Sequence, residues 1–600
     1  MKTMFNNLKR ILASTFGVVE VGYLRKWLII AILIGIVAGI GSILFYLAIN
    51  GVTWLMLGKG AGYFPPAPGG EGQTILTVIT RSWMIPVVCT IGGLINGLLV
   101  FKLAPEAEGH GTDAAINSFH NKEGFIRRRI PLVKLVASAI TIGSGGSAGR
   151  EGPVALIGAG FGSTIGDIFK LNSHDRRIAL AVGIGAGIGA IFKAPLGGAL
   201  ISAEILYRRD FEFEALLPSF IASIVGYSVF ASWHGWAPIF TLNTVYTFDK
   251  PEQLLGYAIL GIVCGLFGML YGRTFYRVRD FFSSLKIPNY IKPAIGGLLV
   301  GIIGIFLPQI LGMGYGWVQF AINNNTAALP LGIMVAVVFG KIVATSLSVG
   351  SGGSGGVFAP GLVIGGMVGG VTWSLLHHIN SIVPVDPGPF IILGMMTLFG
   401  GIAKAPLAIM IMVSEMTGNY SLLIPSMVSV VIAYFLTGNS YIYEKQVNTR
   451  ADSPAHRGEY AIPLLEKIHV AEAMVTDPKI VSSRSSVSDI AKLMKANEID
   501  VVPVVDSGKL VGIVTTRDMA RVSEADWFRI KASAVMSKQL IVGHADETLY
   551  EAFGRMTKNK ISHLPIVNRD HPERLVGFLA IQHIVPTYDL QKKTITPDKM

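Results

Sequence analysis

Charged residues are scarce in this sequence. Asp, Glu, Lys and Arg make up 15% of its 600 residues, while 51% are hydrophobic and the mean hydropathy is +0.54. A soluble globular chain carries about 25% charged residues, so the deficit excludes a wholly soluble protein. Cysteine is nearly missing as well: Cys89 and Cys264 both lie in apolar runs, and no CxxC occurs. That excludes a disulfide framework and offers no thiolate metal site. Acidic clusters are missing from the apolar region, whose runs hold only Glu151, Glu204 and Glu415. A divalent-cation pathway would need such clusters. No nucleophile, base and orienting group converge, so an enzyme is not expected. The formal net charge of +12 does not point to nucleic acid, because Lys and Arg sit in short loops such as IRRRI (126–130), YRRD (207–210) and RTFYRVRD (273–280). Basic loops of this kind set membrane topology.

What the sequence does have is a succession of apolar stretches over 27–440, followed by a polar region over 445–600. The first stretch, WLIIAILIGIVAGIGSILFYLAIN (27–50), is too long for a signal-peptide core and reads as a retained span. Several later stretches are shorter than the roughly 20 residues needed to cross a bilayer, or are broken by Gly and Pro. Helices that stop partway are where ions bind.

The apolar region is duplicated. GSGGSAGREGPVALIGAGFG (143–162) matches GSGGSGGVFAPGLVIGGMVG (350–369), with Pro153 and Pro360, like Lys134 and Lys341, 207 positions apart. FKAPLGGALISAE (192–204) matches AKAPLAIMIMVSE (403–415), so Glu204 and Glu415 are equivalent. Copies with an odd number of spans are inverted, and their ends meet near the midplane. The polar tail holds a second duplication, 470–520 against 532–584, each copy reading as a small α/β module.

In both apolar copies a glycine ribbon frees backbone N–H groups to face a cavity. A proline then opens a helix, whose N-terminus carries about half a positive charge. This design binds anions. The second copy offers Val357 and Phe358, while the first adds Arg150 and Glu151. Glycines that only allow close helix packing would not explain Glu151, since an intramembrane carboxylate is costly. GSGGSG (350–355) matches GxGxxG, but no βαβ unit surrounds it and no Lys-Ser or Lys-Thr follows, which argues against a nucleotide there.

GREGP (149–153), GVFAP (356–360), EMTGNY (415–420) and the paired C-terminal modules resemble the CLC chloride channels and chloride/proton exchangers. The resemblance implies an all-α polytopic membrane domain of two inverted repeats with broken, re-entrant helices, followed by a cytoplasmic α/β CBS-domain pair. It implies a cytoplasmic N-terminal helix over 1–24 and a membrane domain over 25–444, with repeats of about 25–230 and 250–440. A linker (445–465), CBS modules over 466–525 and 530–590, and a tail (591–600) follow. It further implies a homodimer in the lipid of a prokaryotic plasma membrane, both termini cytoplasmic, with chloride or another small anion and protons as partners and no required cofactor. Glu151 is the expected gate. The expected anion-binding residues are His110, Gly111, Gly149, Arg150, Gly152, Val357, Phe358, Ala359 and Tyr443, with Tyr441 as the competing register for the tyrosine.

Two departures from the family pattern stand out. The family's GSGIP is GHGTD (109–113) here, so His110 replaces a serine. It is either a donor to the anion with a charge that varies near neutral pH or a loop residue at the pathway mouth. Exchangers of the family often carry a second glutamate after the one matching Glu204, and here that position is Ile205. The leading expectation is therefore passive chloride conduction gated by Glu151, with chloride/proton antiport as the alternative and a CBS-bearing divalent-cation transporter as a distant one. Glu204, repeated as Glu415, is expected to be structural. In the tail, GIVTTRD (512–518) fits the CBS pattern that holds a ribose, which assigns Gly512, Thr515 and Asp518 to an adenine nucleotide. The second module has Ala580 and His583 at the corresponding places and is expected to be degraded, leaving a structural dimer cap as the other reading.

Overall fold

The computed structural model describes residues 21–325, 327–379, 382–456 and 464–595. The expected N-terminal helix lies outside these up to residue 20, as do 457–463 of the expected linker and 596–600 of the tail. The chain divides into two compact units, one ending at Ala455 and one starting at His456.

Among the described residues of the first unit, the α-helices form two sets of eight. One runs from Val21–Thr53 to Phe213–His234, the other from Gln253–Ser284 to Leu423–Thr437. Six are long and apolar enough to cross a membrane. Others, such as Thr112–Asn121, Pro195–Glu204 and Tyr315–Ile322, are far too short. The first span outruns the expected 27–50. Val21–Thr53 continues through a π-helical turn, Trp54–Ala61, until Gly62 stops it with φ +68° and returns its N–H to Gly58.

The two sets are related by a two-fold. Gly149 and Gly356, 207 positions apart, exchange both backbone hydrogen bonds (2.8 and 2.7 Å) in an antiparallel bridge. Ser138 Oγ meets Ser354 Oγ at 2.8 Å, and the mirror pair Thr345 Oγ1 and Ser147 Oγ meets at 2.9 Å. Glu204 accepts the Leu407 and Ala408 amides at 3.2 and 2.7 Å, while Glu415 accepts those of Leu196 and Gly197 at 3.0 and 2.7 Å. Each of these carboxylates caps the other copy's helix N-terminus, which the helix dipole favours. Equivalent segments bonded to each other in antiparallel run in opposite directions, so the copies are inverted. Both glutamates are thereby structural, as expected for Glu204.

The second unit holds two antiparallel hairpins, Val501–Asp506 with Lys509–Thr515 and His563–Val567 with Leu575–Ala580. Each follows a capped helix: Ser486 accepts the Asp489 amide ahead of Val487–Asn497, and Thr548 that of Glu551 ahead of Leu549–Lys558. The modules interlock. Ser537, near the start of the second module, pairs with Ile513 of the first, and Val475, near the start of the first, pairs with Phe578 of the second.

Candidate functional site

The helix Glu151–Ile168 begins where the first ribbon ends, with Pro153 in its first turn, and Phe358–Leu376 begins where the second ribbon ends. The Gly149–Gly356 bridge brings these two N-termini together. Glu151, only 3% exposed, reaches across so that Oε1 accepts the backbone N–H of Phe358, while Oε2 has no hydrogen-bond partner among the described residues. A Cβ on Gly356 would collide with this carboxylate, so the second ribbon's glycine forms its seat. The carboxylate therefore sits at the positive helix end, where an anion would otherwise bind.

Around that seat the Phe358 ring lies 5.5 Å from Phe192 and 4.7 Å from Phe399. The Tyr271 hydroxyl donates to the Val357 carbonyl at 2.9 Å. Phe399 leads to Tyr443 (6.3 Å between rings), and Tyr443 leads to His110 (5.4 Å). Both Tyr443 and His110 are buried. Tyr441 instead packs under the Arg208 guanidinium at 3.7 Å, so the geometry favours Tyr443 over the competing register. His110 is not an open loop residue. Its Nε2 lies 3.3 Å from Asp113 Oδ2, its Nδ1 is buried without a partner among the described residues, and its carbonyl abuts Gly152, where any Cβ would collide. Asp113 in turn accepts the amides of Glu444 (3.2 Å) and Lys445 (3.0 Å), which ties the GHGTD loop to the segment after Tyr443. Gly111 holds that loop at φ +85°, and the equivalent Gly314 of the other copy has φ +88°.

Two expected anion contacts are differently employed. The Gly149 N–H is spent on the Gly356 carbonyl. Arg150 is fully buried and turns its fork to Glu71, with Nη1 3.2 Å from Oε2 and Nη2 on Oε1. Rings of Phe192, Tyr46 and Tyr315 stand 5.3, 5.7 and 5.8 Å from the guanidinium. A buried charge requires such a partner, and Glu71 supplies it. Glu71 is a residue that sequence reasoning missed. Its signal was a lone carboxylate in the turn-forming PPAPGGEGQ (65–73), but nothing local names a partner 79 positions away. Glu71 and Arg150 line a cavity of about 170 Å³ together with Asn50, Thr53 and Tyr315. Along the sequence Lys134 is only a repeat marker. It is fully buried and donates to the Ala107 (3.0 Å) and Gly109 (2.7 Å) carbonyls, while Lys341 does the same with Ile310 (2.9 Å) and Gly312 (2.7 Å). Ile205 is buried, and among the described residues no group of three or more His, Cys, Asp or Glu side chains is arranged to hold a metal.

In the second unit Thr515 lines a cleft of about 580 Å³ with Asp500, Arg517, Lys560, Ser562 and His563. Asp518 bonds back to Thr515 in a capping box, Oδ2 accepting the hydroxyl at 2.7 Å, and it does not line the cleft. Gly512 is also off the cleft, against Met536, where a Cβ would come within 2.7 Å of the sulfur. His583 occupies the matching place in the second module and accepts the Ala580 N–H at 3.3 Å. Burial lowers the pKa of the His563 and His583 rings.

A family model described as voltage gated chloride channel matches residues 92–438, and a CBS domain model matches 470–525 and 532–587. The chain belongs to this chloride channel family. It is 32% identical over 419 residues to an uncharacterized protein of Methanocaldococcus jannaschii, covering 70% of this chain and 95% of that one. It is 30% identical over 423 residues to the H(+)/Cl(−) exchange transporter ClcA of Yersinia pseudotuberculosis, covering 68% of this chain and 85% of that one. Among solved structures it resembles a slow cyanobacterial Cl−/H+ antiporter (TM-score 0.62, 24% identity, 70% of this chain and 96% of the other). It also resembles a eukaryotic CLC transporter (TM-score 0.56, 18% identity, 94% of this chain and 98% of the other). These structural likenesses bear on the fold: a mostly helical CLC membrane domain followed by a CBS-domain pair.

Proposed function

We propose that this CLC-family protein is a chloride/proton antiporter in which the Glu151 carboxylate and the transported anion compete for one amide seat. The observation that carries this reading is the Glu151 Oε1 bond to the Phe358 N–H, with Oε2 left unpartnered. Protonation neutralises the carboxylate and weakens its hold on a helix N-terminus, so a proton and an anion are exchanged at the same point. Similarity to a relative named as a chloride/proton exchanger supports antiport over the passive conduction that the sequence pattern put first. The passive reading keeps one observation of its own, the apolar Ile205. His110, Gly111, Gly152, Val357, Phe358, Ala359 and Tyr443 are proposed to line the anion's route. Glu151 is its gate.

The Tyr443 end is proposed to be cytoplasmic. Basic residues gather there: the backbone N–H groups of Arg208 and Arg209 donate to the Val447 and Asn448 carbonyls at 2.9 and 3.0 Å, the Arg208 guanidinium lies over Tyr441, and Arg279 pairs with Glu444 at 2.7 Å. A homodimer in a prokaryotic plasma membrane completes the reading. In the second unit an adenine nucleotide is proposed for the Thr515 cleft, with Arg517 and Lys560 available to its phosphates.

Liposomes containing the protein and loaded with chloride test antiport directly. A chloride gradient should drive protons uphill. Chloride movement with no proton movement would return the protein to passive conduction.

A further inference from the structure

We propose that His110 carries the transported proton between water at the Tyr443 end of the pathway and Glu151. The inference rests on the antiport reading and assigns a second protonatable group to it. Asp113 is held by two backbone amides and, when ionised, can only accept, so the ring nitrogen facing it, Nε2, bears the hydrogen. Nδ1 of the neutral ring is then a bare acceptor, and it is buried with no partner. A buried acceptor left in this state is unfavourable. Taking a proton turns Nδ1 into a charged donor, and a charged donor is best satisfied by an anion. Proton and chloride therefore each favour the binding of the other at this ring.

The surroundings fit a transit site. His110 is 6% exposed, its ring faces Tyr443 at 5.4 Å and Phe275 at 6.1 Å, and its backbone carbonyl rests on Gly152, the neighbour of Glu151. Several charged and titratable groups face it. Asp113 meets its Nε2 and Tyr443 packs on its ring, Lys134 of Arg129–Gly143 holds the neighbouring Gly109 carbonyl, Tyr276 of Gln253–Ser284 donates to the Ile442 carbonyl beside Tyr443, and Arg279 of the same helix pairs with Glu444. The transfer is a plain proton exchange: water at the Tyr443 end supplies H+ to Nδ1, the ring gains one positive charge, and release to the carboxylate restores the neutral ring and leaves Glu151 as the acid. The other repeat has Met313 at the equivalent position, so only one half of the duplication offers this group.

The test uses the full chain in liposomes, recording chloride efflux and proton uptake together, for wild type and His110→Gln. Chloride flux should fall a few-fold and proton flux by about ten-fold or more, so the proton-to-chloride ratio drops. An unchanged ratio would overturn the proposal. A wild type that moves no protons would sink the antiport reading itself, and this inference with it. Should His110→Gln fail to insert, calorimetric titration of chloride into detergent-solubilised wild type and His110→Ser at pH 5.5 and 7.5 decides. Wild type should bind more tightly at the lower pH, and His110→Ser should lose most of that difference. Equal pH dependence in the two proteins would also overturn the assignment.

Discussion

The two halves of the membrane unit share one scaffold and differ in what they place on it. Both build a glycine ribbon into a helix N-terminus, both peg the preceding loop with a buried lysine on two carbonyls, and both cap a partner helix with a glutamate. At equivalent positions the first half carries His110, Asp113, Arg150 and Glu151, and the second carries Met313, Gly316, Val357 and Phe358. The duplicated residues hold the backbone. In the proposed reading the unmatched ones hold the chemistry: one half supplies the amide seat, and the other supplies Glu151 to compete for it.

The comparison is broken most severely at Glu151. Glu151→Gln gives the first half a permanently neutral side chain, and proton flux in liposomes should fall by about a hundred-fold or more. Chloride flux should lose most of its acid activation. A retained pH dependence would mean that the unmatched carboxylate is not the gate. The lysines come next. Lys134→Met and Lys341→Met each strand two buried carbonyls, and each should destabilise the protein by about 2–4 kcal/mol. Thermal denaturation in detergent should show similar losses for the two, whereas a large inequality would contradict their structural equivalence. Glu204→Gln and Glu415→Gln should cost less, about 1–2 kcal/mol each, with the proton-to-chloride ratio unchanged. A changed ratio in Glu204→Gln alone would move that residue out of the scaffold. The smallest effect is expected at Glu71. Glu71→Gln releases Arg150 from its counter-charge at the outer cavity, and the half-saturating external chloride concentration should fall about two- to five-fold with maximal flux little altered.

Much of this scaffold was legible along the chain because duplication needs no three-dimensional information to be seen. The Glu204 and Glu415 pair could be judged structural from its repetition, and the reciprocal caps give the reason. The ribbon, the helix start at Pro153 and the exposed half-charge of that helix follow from residue types in sequence order, so the anion seat could be expected there. The roles of Arg150 and Gly149 could not. An arginine beside a gate glutamate looks like an anion ligand until a distant loop presents Glu71, and a ribbon amide looks available until its own counterpart bonds it. The cap that joins Asp518 to Thr515 is likewise visible only in the fold.

By itself the sequence determined that the chain lies mostly in lipid, that its membrane unit is two copies of one fold, and that Glu151 stands at a helix N-terminus. Each of these depends on composition, repetition or nearest neighbours. Tertiary structure alone decided where the buried charges and unpaired polar atoms end up: Arg150 on Glu71, Glu151 on the Phe358 amide, and His110 with one nitrogen tied to Asp113 and the other bare. Those outcomes turn on which distant segments arrive beside each group. Away from water, a polar side chain is defined by the partner that packing brings to it.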